Sequence, residues 1–430
     1  MSTTQSRNNK YKVTKGNIKS IRGGEIMSHH LTSKSKDPEN NNKTKHWFCK
    51  ELKHHDKTSR KYFLEGIILD SLLSRTLHKA DETGMTPKTK IIKDTVSVSR
   101  LYNLDGKQED TSVLGHDLFD YLGNRYKSER RKGKRPEEEE SKCEELEGVL
   151  KAVIDSIIIQ RWDSKPENYT APKVRPFDLG YSLSNLADYF NKWDEETIRS
   201  IIKGTSVSSE EEIIHIEGNN DVIVPASEDK IPEDIEGSID GIALALTQTF
   251  AFLGTRANKH EGYAKNLNKS RKDSYTKIIS QAIKSDLEAV IAKKGGEISP
   301  SMALLELFEE RAQKIEDART SEEKNPREEV EKEIERIEED ESVKEIMHDI
   351  LEDADQRFSK CVEDMKEIFS KLKEELQEKE KSSKKDASQT PSRRSFSDRI
   401  GGGSSQNSSQ GWAENLEQLR KDQKKECIIL

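Results

Sequence analysis

The residues whose types and spacing could do chemistry are densest over 254–277, GTRANKHEGYAKNLNKSRKDSYTK. Arg256, Lys259, Lys265, Lys269, Arg271, Lys272 and Lys277 supply cations, with His260 among them and only Glu261 and Asp273 in opposition. Tyr263 and Tyr275 interleave. A phosphate backbone calls for closely spaced cations, and unstacked bases lie on aromatic faces. The candidate site for single-stranded RNA is therefore Arg256, Lys259, Tyr263, Lys265, Lys269, Arg271, Lys272, Tyr275 and Lys277. In a helix, Lys265, Lys269 and Lys272 would share a face, at spacings of 4 and 3. A solvated basic surface without a ligand gives the same run, because a chain that is 36% charged makes cationic stretches by composition alone.

A second basic run covers 125–135: Arg125, Lys127, Arg130, Arg131, Lys132, Lys134 and Arg135. Such a run serves as a nuclear address or a polyanion patch. Glu137 to Glu140 follow at once and screen its far field, which is what a plain exposed loop would also show. His46, Cys49, His54 and His55 lie close together, but one cysteine without a regular frame does not make a zinc site. The chain ends in Cys427-Ile428-Ile429-Leu430, a C-a-a-X pattern of the geranylgeranyl form, preceded by Lys421, Lys424 and Lys425. Cys427 is thus the candidate lipidation site, and a membrane is a partner only if it is prenylated; an ordinary amphipathic end is the plainer reading. No phosphate-binding glycine loop, nucleophile elbow, HExxH or kinase set is present, so the expectation is a non-enzymatic protein without a cofactor.

Composition agrees with that expectation. The 430 residues carry 73 basic and 81 acidic side chains, a net charge of -8, with 31% hydrophobic and 6% aromatic residues. The mean hydropathy is -0.92. Globular domains average roughly 45–50% apolar residues, glycine included, and about 25% charged ones, so a large sheet core is not expected. No run of about 20 apolar residues exists to span a membrane, and residues 1–19 lack the apolar core of a signal peptide. Four scattered cysteines without a CxxC fit a reducing compartment.

These features need elements to position them, and the pattern predicts a mainly α fold of two helical lobes with a small β-hairpin between them. Residues 1–58 are a basic flexible arm, too poor in apolar side chains to order without a partner. An N-terminal helical lobe covers 59–205. It has a helix from Tyr62 to Leu77, an ambiguous stretch at 91–104 with strand-like alternation at Val96 to Ser99, and helices over 114–126, 143–162 and 182–202. Residues 206–237 are a hairpin (213–224) and an acidic linker separating the lobes. A C-terminal helical lobe with the basic stretch covers 238–320: Ser238 opens a buried helix through Leu253, a second helix follows until Gly295-Gly296 stops it, and Ser299-Pro300 starts a third. Pro326 begins a long charged helix over 326–380, whose Ala354, Phe358, Cys361, Met365, Ile368 and Leu372 alternate at spacings of 4 and 3. That spacing reads as a coiled-coil seam, a helix laid on a partner, or a solvated charged helix. Residues 381–430 form a flexible tail rich in serine, glycine and lysine.

A basic arm, two mostly helical lobes, a cationic stretch between packed helices and a charged helical tail resemble the RNA-coating proteins of negative-strand viruses. At 49.1 kDa the chain looks like the coat (nucleocapsid) protein of ophioviruses, over residues 60–320 and by size, composition and layout. The resemblance implies no catalysis. It implies a protein that encapsidates single-stranded genomic RNA without sequence preference in a cleft between the lobes. It also implies copies that self-assemble into a filamentous ribonucleoprotein through arm and tail, a viral polymerase as a further partner, and residence in the virion and the host cell cytoplasm, with nuclear entry through 125–135. The alternative is a non-enzymatic cytosolic coiled-coil adaptor tethered to membranes by a prenylated Cys427.

Overall fold

The computed structural model describes residues 12–13, 26–34, 44–52, 57–81, 89–93, 98–103, 118–132, 145–161, 164, 166–180, 182–183, 193–205, 231–250, 269–296, 298–337 and 341–388. The chain divides into two compact units, Met1–Glu378 and Lys379–Leu430. The described part is mainly helical. Its principal helices are α1 Lys57–Ala80, α2 Leu118–Lys132, α3 Val149–Ile158, α4 Glu195–Lys203, α5 Ile239–Thr247, α6 Lys269–Lys293, α7 Pro300–Thr320, α8 Pro326–Glu335 and α9 Glu341–Ser388.

Among the described residues five strands accompany them: β1 Lys12–Val13, β2 Ile26–Lys34, β3 Thr44–Leu52, β4 Thr89–Lys93 and β5 Val98–Asn103, in the antiparallel order β1-β2-β3-β5-β4. Part of the basic arm therefore pairs with the chain itself. Its partner, β5, arrives from beyond α1, which the composition of the arm alone does not reveal. The expected hairpin at 213–224 lies outside the described residues.

The first unit is built around α1, which is buried almost all round. Ile67, Ile68, Leu72, Leu73 and Leu77 are inaccessible, and so are Asp70, Ser71 and Thr76. Helix α3 has no polar face to speak of, with nine of its ten residues buried. Helices that the sequence assigns to separate lobes share one core: Leu72, Ile154, Ile198, Leu246, Ile283, Phe308 and Phe358 all belong to a single buried cluster. The described helices therefore do not divide into two separate cores at the expected linker.

The supposed inter-lobe linker behaves likewise at its ends. The Gly237 N–H donates to the Lys203 carbonyl at 2.8 Å, so the chain leaves after α4 and returns beside it. There Gly204, in the left-handed region at φ +62°, caps α4, and a Cβ on it would lie 2.7 Å from the Ile242 nitrogen. Only glycine allows that approach of α4 to α5.

Local signals set most helix starts. Asp194 accepts from Thr197 N at 2.8 Å to open α4, Ser238 from Gly241 N at 3.1 Å to open α5, and Ser299 from Met302 N at 3.4 Å to open α7. Asn325 caps α8, and Pro300 and Pro326 sit in the first helical turns, where a missing N–H costs nothing. Three expected spans differ. The helix placed at 143–162 starts only at Val149, because Gly148 is left-handed at φ 74° and Glu147 bridges Lys173. The helix placed at 182–202 is not continuous: Leu183 is left-handed at φ 50° and Asp194 is extended just before α4 opens at Glu195, while 184–192 lie outside the described residues. The long helix from Pro326 is two. Helix α8 reaches α1 and β4, where Glu333 accepts the Ile91 N–H at 3.1 Å and pairs with Arg75 at 2.5 Å, whereas α9 runs over α7 and α4. One straight rod cannot follow both paths.

Helix α9 also answers what its seam is for. Met347, Leu351, Ala354, Phe358, Val362, Met365, Phe369 and Leu372 are buried in the chain's own core, with the Phe369 ring 4.8 Å from that of Phe308. Charged side chains flank the seam: Arg357–Glu65 at 3.0 Å, Lys371–Glu195 at 2.8 Å, Lys373–Glu309 at 2.5 Å, and Arg199 on Glu375. The 4-and-3 spacing is an intramolecular packing face, not a coiled-coil seam open to a partner. The helix also runs on to Ser388, past the expected start of the flexible tail at 381. Among the described residues no helix is long and apolar enough to cross a membrane.

Candidate nucleic-acid interface

Helix α2 packs by Leu118, Tyr121, Leu122 and Tyr126, spaced 3, 1 and 4 apart, and leaves Asn124 and Lys127 exposed. Its second half reads Arg125-Tyr126-Lys127-Ser128-Glu129-Arg130-Arg131-Lys132. Helix α6 packs by Tyr275, Ile279, Ile283 and Leu287, each one i+4 step from the last. The two helices meet where α6 begins. The Phe119 ring stands edge-on to the Tyr275 ring at 5.9 Å and 87°. The hydroxyls of Tyr126 and Ser270 lie 3.2 Å apart, and the Arg271 guanidinium sits 5.6 Å from the centre of the Tyr126 ring. Arg125 Nη1 donates to the Tyr121 hydroxyl at 3.3 Å.

The described parts of two basic runs that are distant in sequence therefore meet. Lys269, Arg271 and Lys272 start α6, while Arg125, Lys127, Arg130, Arg131 and Lys132 occupy the second half of α2, and Tyr126 staples the two. Cations suit the end of α2, where backbone carbonyls gather negative charge. At the start of α6 they oppose the partial positive charge of the helix, and no acid sits in its first turn. Each cation so placed interacts unfavourably with the helix dipole, by about 0.3–1 kcal/mol.

The nine predicted site residues fall into three groups. Arg256, Lys259, Tyr263 and Lys265 lie outside the described residues, as do Cys427 and the rest of 389–430. Lys269, Arg271 and Lys272 stand at the α2/α6 junction, and Lys277 is exposed one turn further along α6. Tyr275 is a correction: it is 1% exposed, wedged against Phe119, and its hydroxyl leaves only 3.2 Å for a Cβ at Gly123. No base can stack on it, and its role is packing. The i+4 series to Ile279 and Ile283 was the available signal. Sequence reasoning also missed Tyr126 and Ser270, since nothing local links positions 144 apart.

Elsewhere among the described residues many charged groups pair with one another, as Lys294 does with Glu306 and Arg327 with Glu331. Among the described residues no group of three His, Cys, Asp or Glu side chains could hold a metal ion. A shallow depression between α8 and α9, lined by Glu328, Glu331, Lys332, Glu335, Arg336 and His348, holds a His348–Glu335 contact of 2.9 Å and pairs no nucleophile with a base. No protein-family model matches this chain, and no curated protein matches it.

Proposed function

We propose that this chain is an RNA-coating protein of the nucleocapsid type. It binds single-stranded RNA without sequence preference, the α2/α6 junction is one of its phosphate-gripping surfaces, and copies assemble into a filamentous ribonucleoprotein. The observation that carries the reading is the convergence of the two basic runs around Tyr126 and Ser270. Local density of cations, not the net charge of -8, decides whether a polyanion is attracted. The RNA lies over a helical surface in this reading, because the helices on either side of the expected seam share one core. The virion and host cytoplasm are where such a protein would act, and a viral polymerase would read its template.

The test is a titration of a fluorescent oligouridine with the chain and with a Lys127→Glu, Arg271→Glu, Lys272→Glu variant. The variant should bind at least about tenfold more weakly at low salt, and its log–log salt slope should fall by roughly 2, at about 0.7 for each phosphate no longer neutralised. Its circular dichroism should be unchanged. Equal affinity and slope in the two proteins would reject the site. Protein purified from cells should carry nucleic acid, read as a raised 260/280 nm ratio, and show strings or rings by electron microscopy.

A further inference from the structure

We propose that Ser270 is a phosphorylation site whose phosphate occupies the α2/α6 cationic surface in cis and so displaces RNA; the RNA half of this inference rests on the function proposed above. Ser270 is exposed, in the first turn of α6, where helix ends fray and a side chain can be presented to an enzyme. Lys269 precedes it and Arg271 and Lys272 follow, a charge pattern that the acidic groove of a basophilic protein kinase complements. Neighbouring hydroxyls do not compete. The Ser274 Oγ is buried, and the Ser280 hydroxyl donates to the Lys277 carbonyl at 3.4 Å and has the uncharged Ile279 and Gln281 on either side.

The step is transfer of the γ-phosphoryl group of a nucleoside triphosphate. An Oγ–P bond forms at Ser270, the bond from the γ-phosphorus to the β–γ bridging oxygen breaks, the nucleoside diphosphate leaves, and the hydroxyl proton passes to the carboxylate base of the kinase. The product carries a charge of about -1.5 to -2 and three acceptor oxygens at a helix start beside Arg271 and Lys272. The Tyr126 hydroxyl, 3.2 Å from Oγ, is placed to donate to one of those oxygens. The same cations cannot serve a tethered phosphate and an RNA phosphate at once. The tethered group has the advantage of proximity, so modification of one residue turns the surface off while strengthening the start of α6.

The experiment treats the full chain with ATP and a basophilic protein kinase that accepts lysine before and arginine after its target, maps the phosphate by mass spectrometry, and measures oligouridine affinity and thermal midpoint, with Ser270→Ala as control and Ser270→Asp as a mimic. Expected are one phosphate on Ser270, none on the control at that position, at least a tenfold loss of affinity in the modified chain, a partial loss in the mimic, and a raised midpoint. No phosphate on Ser270, or a phosphorylated chain that binds RNA as the unmodified chain does, overturns the proposal. Should the unmodified chain bind no RNA, the RNA reading fails on its own. The cis contact is then judged by the midpoint, and an unchanged or lowered value overturns it.

Discussion

Arg311 holds Asp155 through two nitrogens, Nε at 2.5 Å and Nη2 at 3.1 Å, and its third donor, Nη1, reaches the Ala80 carbonyl at 2.6 Å. Both side chains are buried. One guanidinium thereby ties α7 to α3 and to the end of α1, elements that the sequence places in different lobes. Next to it Asp81 receives Lys151 at 2.7 Å and Arg175 at 3.3 Å. Breaking one partner of a buried pair leaves an uncompensated charge, at about 3–5 kcal/mol. Arg311→Met should therefore lower the urea-unfolding free energy by that amount. Asp155→Asn combined with Arg311→Met should cost less than the sum of the single changes. The wild type should unfold in one transition by circular dichroism and by Trp fluorescence; two separated transitions would show that the halves fold apart.

The sequence makes some of this legible and hides the rest for identifiable reasons. Ser238, Ser299-Pro300 and Asn325-Pro326 announce helix starts because capping is local. The start of α3 is hidden because its Gly148 cap contributes no side chain; the Leu150 N–H is instead met at 3.2 Å by Asp286, a residue 136 positions away. The seam of α9 is legible as a period, but a period does not say whether the covering surface belongs to a partner or to the same chain. The cationic stretch is legible as charge, and its junction with α2 is not, since that depends on Phe119 and Tyr126 meeting Tyr275 and Ser270.

Tyr275 separates packing from recognition. Base stacking on an aromatic platform is worth about 1–3 kcal/mol per base, so removal of a stacking ring would weaken RNA binding roughly 5- to 150-fold. A ring buried against Phe119 predicts otherwise. Tyr275→Leu should lower the unfolding midpoint, yet below that midpoint its oligouridine affinity should stay within about twofold of wild type. A larger loss in the folded variant would restore Tyr275 as an RNA-binding residue.

Asp286 should make stability depend on pH in an unusual direction for a carboxyl group. Burial raises its pKa; the Leu150 N–H and the nearby Arg175 pull it back only in part, and Glu147 adds to the rise. A folded-state pKa above the unfolded value means that the native chain takes up the proton more readily. The contribution of this group thus favours folding below the ordinary aspartate pKa of about 3.9, and it fades as pH rises through the raised folded value. Asp286→Asn keeps an acceptor for Leu150 without the charge. Its stability relative to wild type should grow with pH above about 4 and then level off. A difference that does not vary with pH, from urea melts at a series of pH values, would remove burial of the charge as the cause.

Cys361 reports on whether α9 stays docked. Its Sγ lies 3.1 Å from the Ile158 carbonyl, and burial, with the negative Asp364 nearby, pushes the thiol far above its usual range. Thiolate is the nucleophile, so this half-buried thiol, which is hard to ionise, should react slowly while the helix stays docked and faster when it lifts off or the protein unfolds. With Cys49, Cys143 and Cys427 replaced by Ser, alkylation of the native chain should be on the order of a hundredfold or more slower than in urea, and its rate should follow the global unfolding free energy as denaturant is added. A helix that leaves its seam to pair with another molecule would behave differently. Its cysteine would label quickly, at a rate insensitive to mild denaturant and to Arg311→Met, and that result would return α9 to the role of a partner helix.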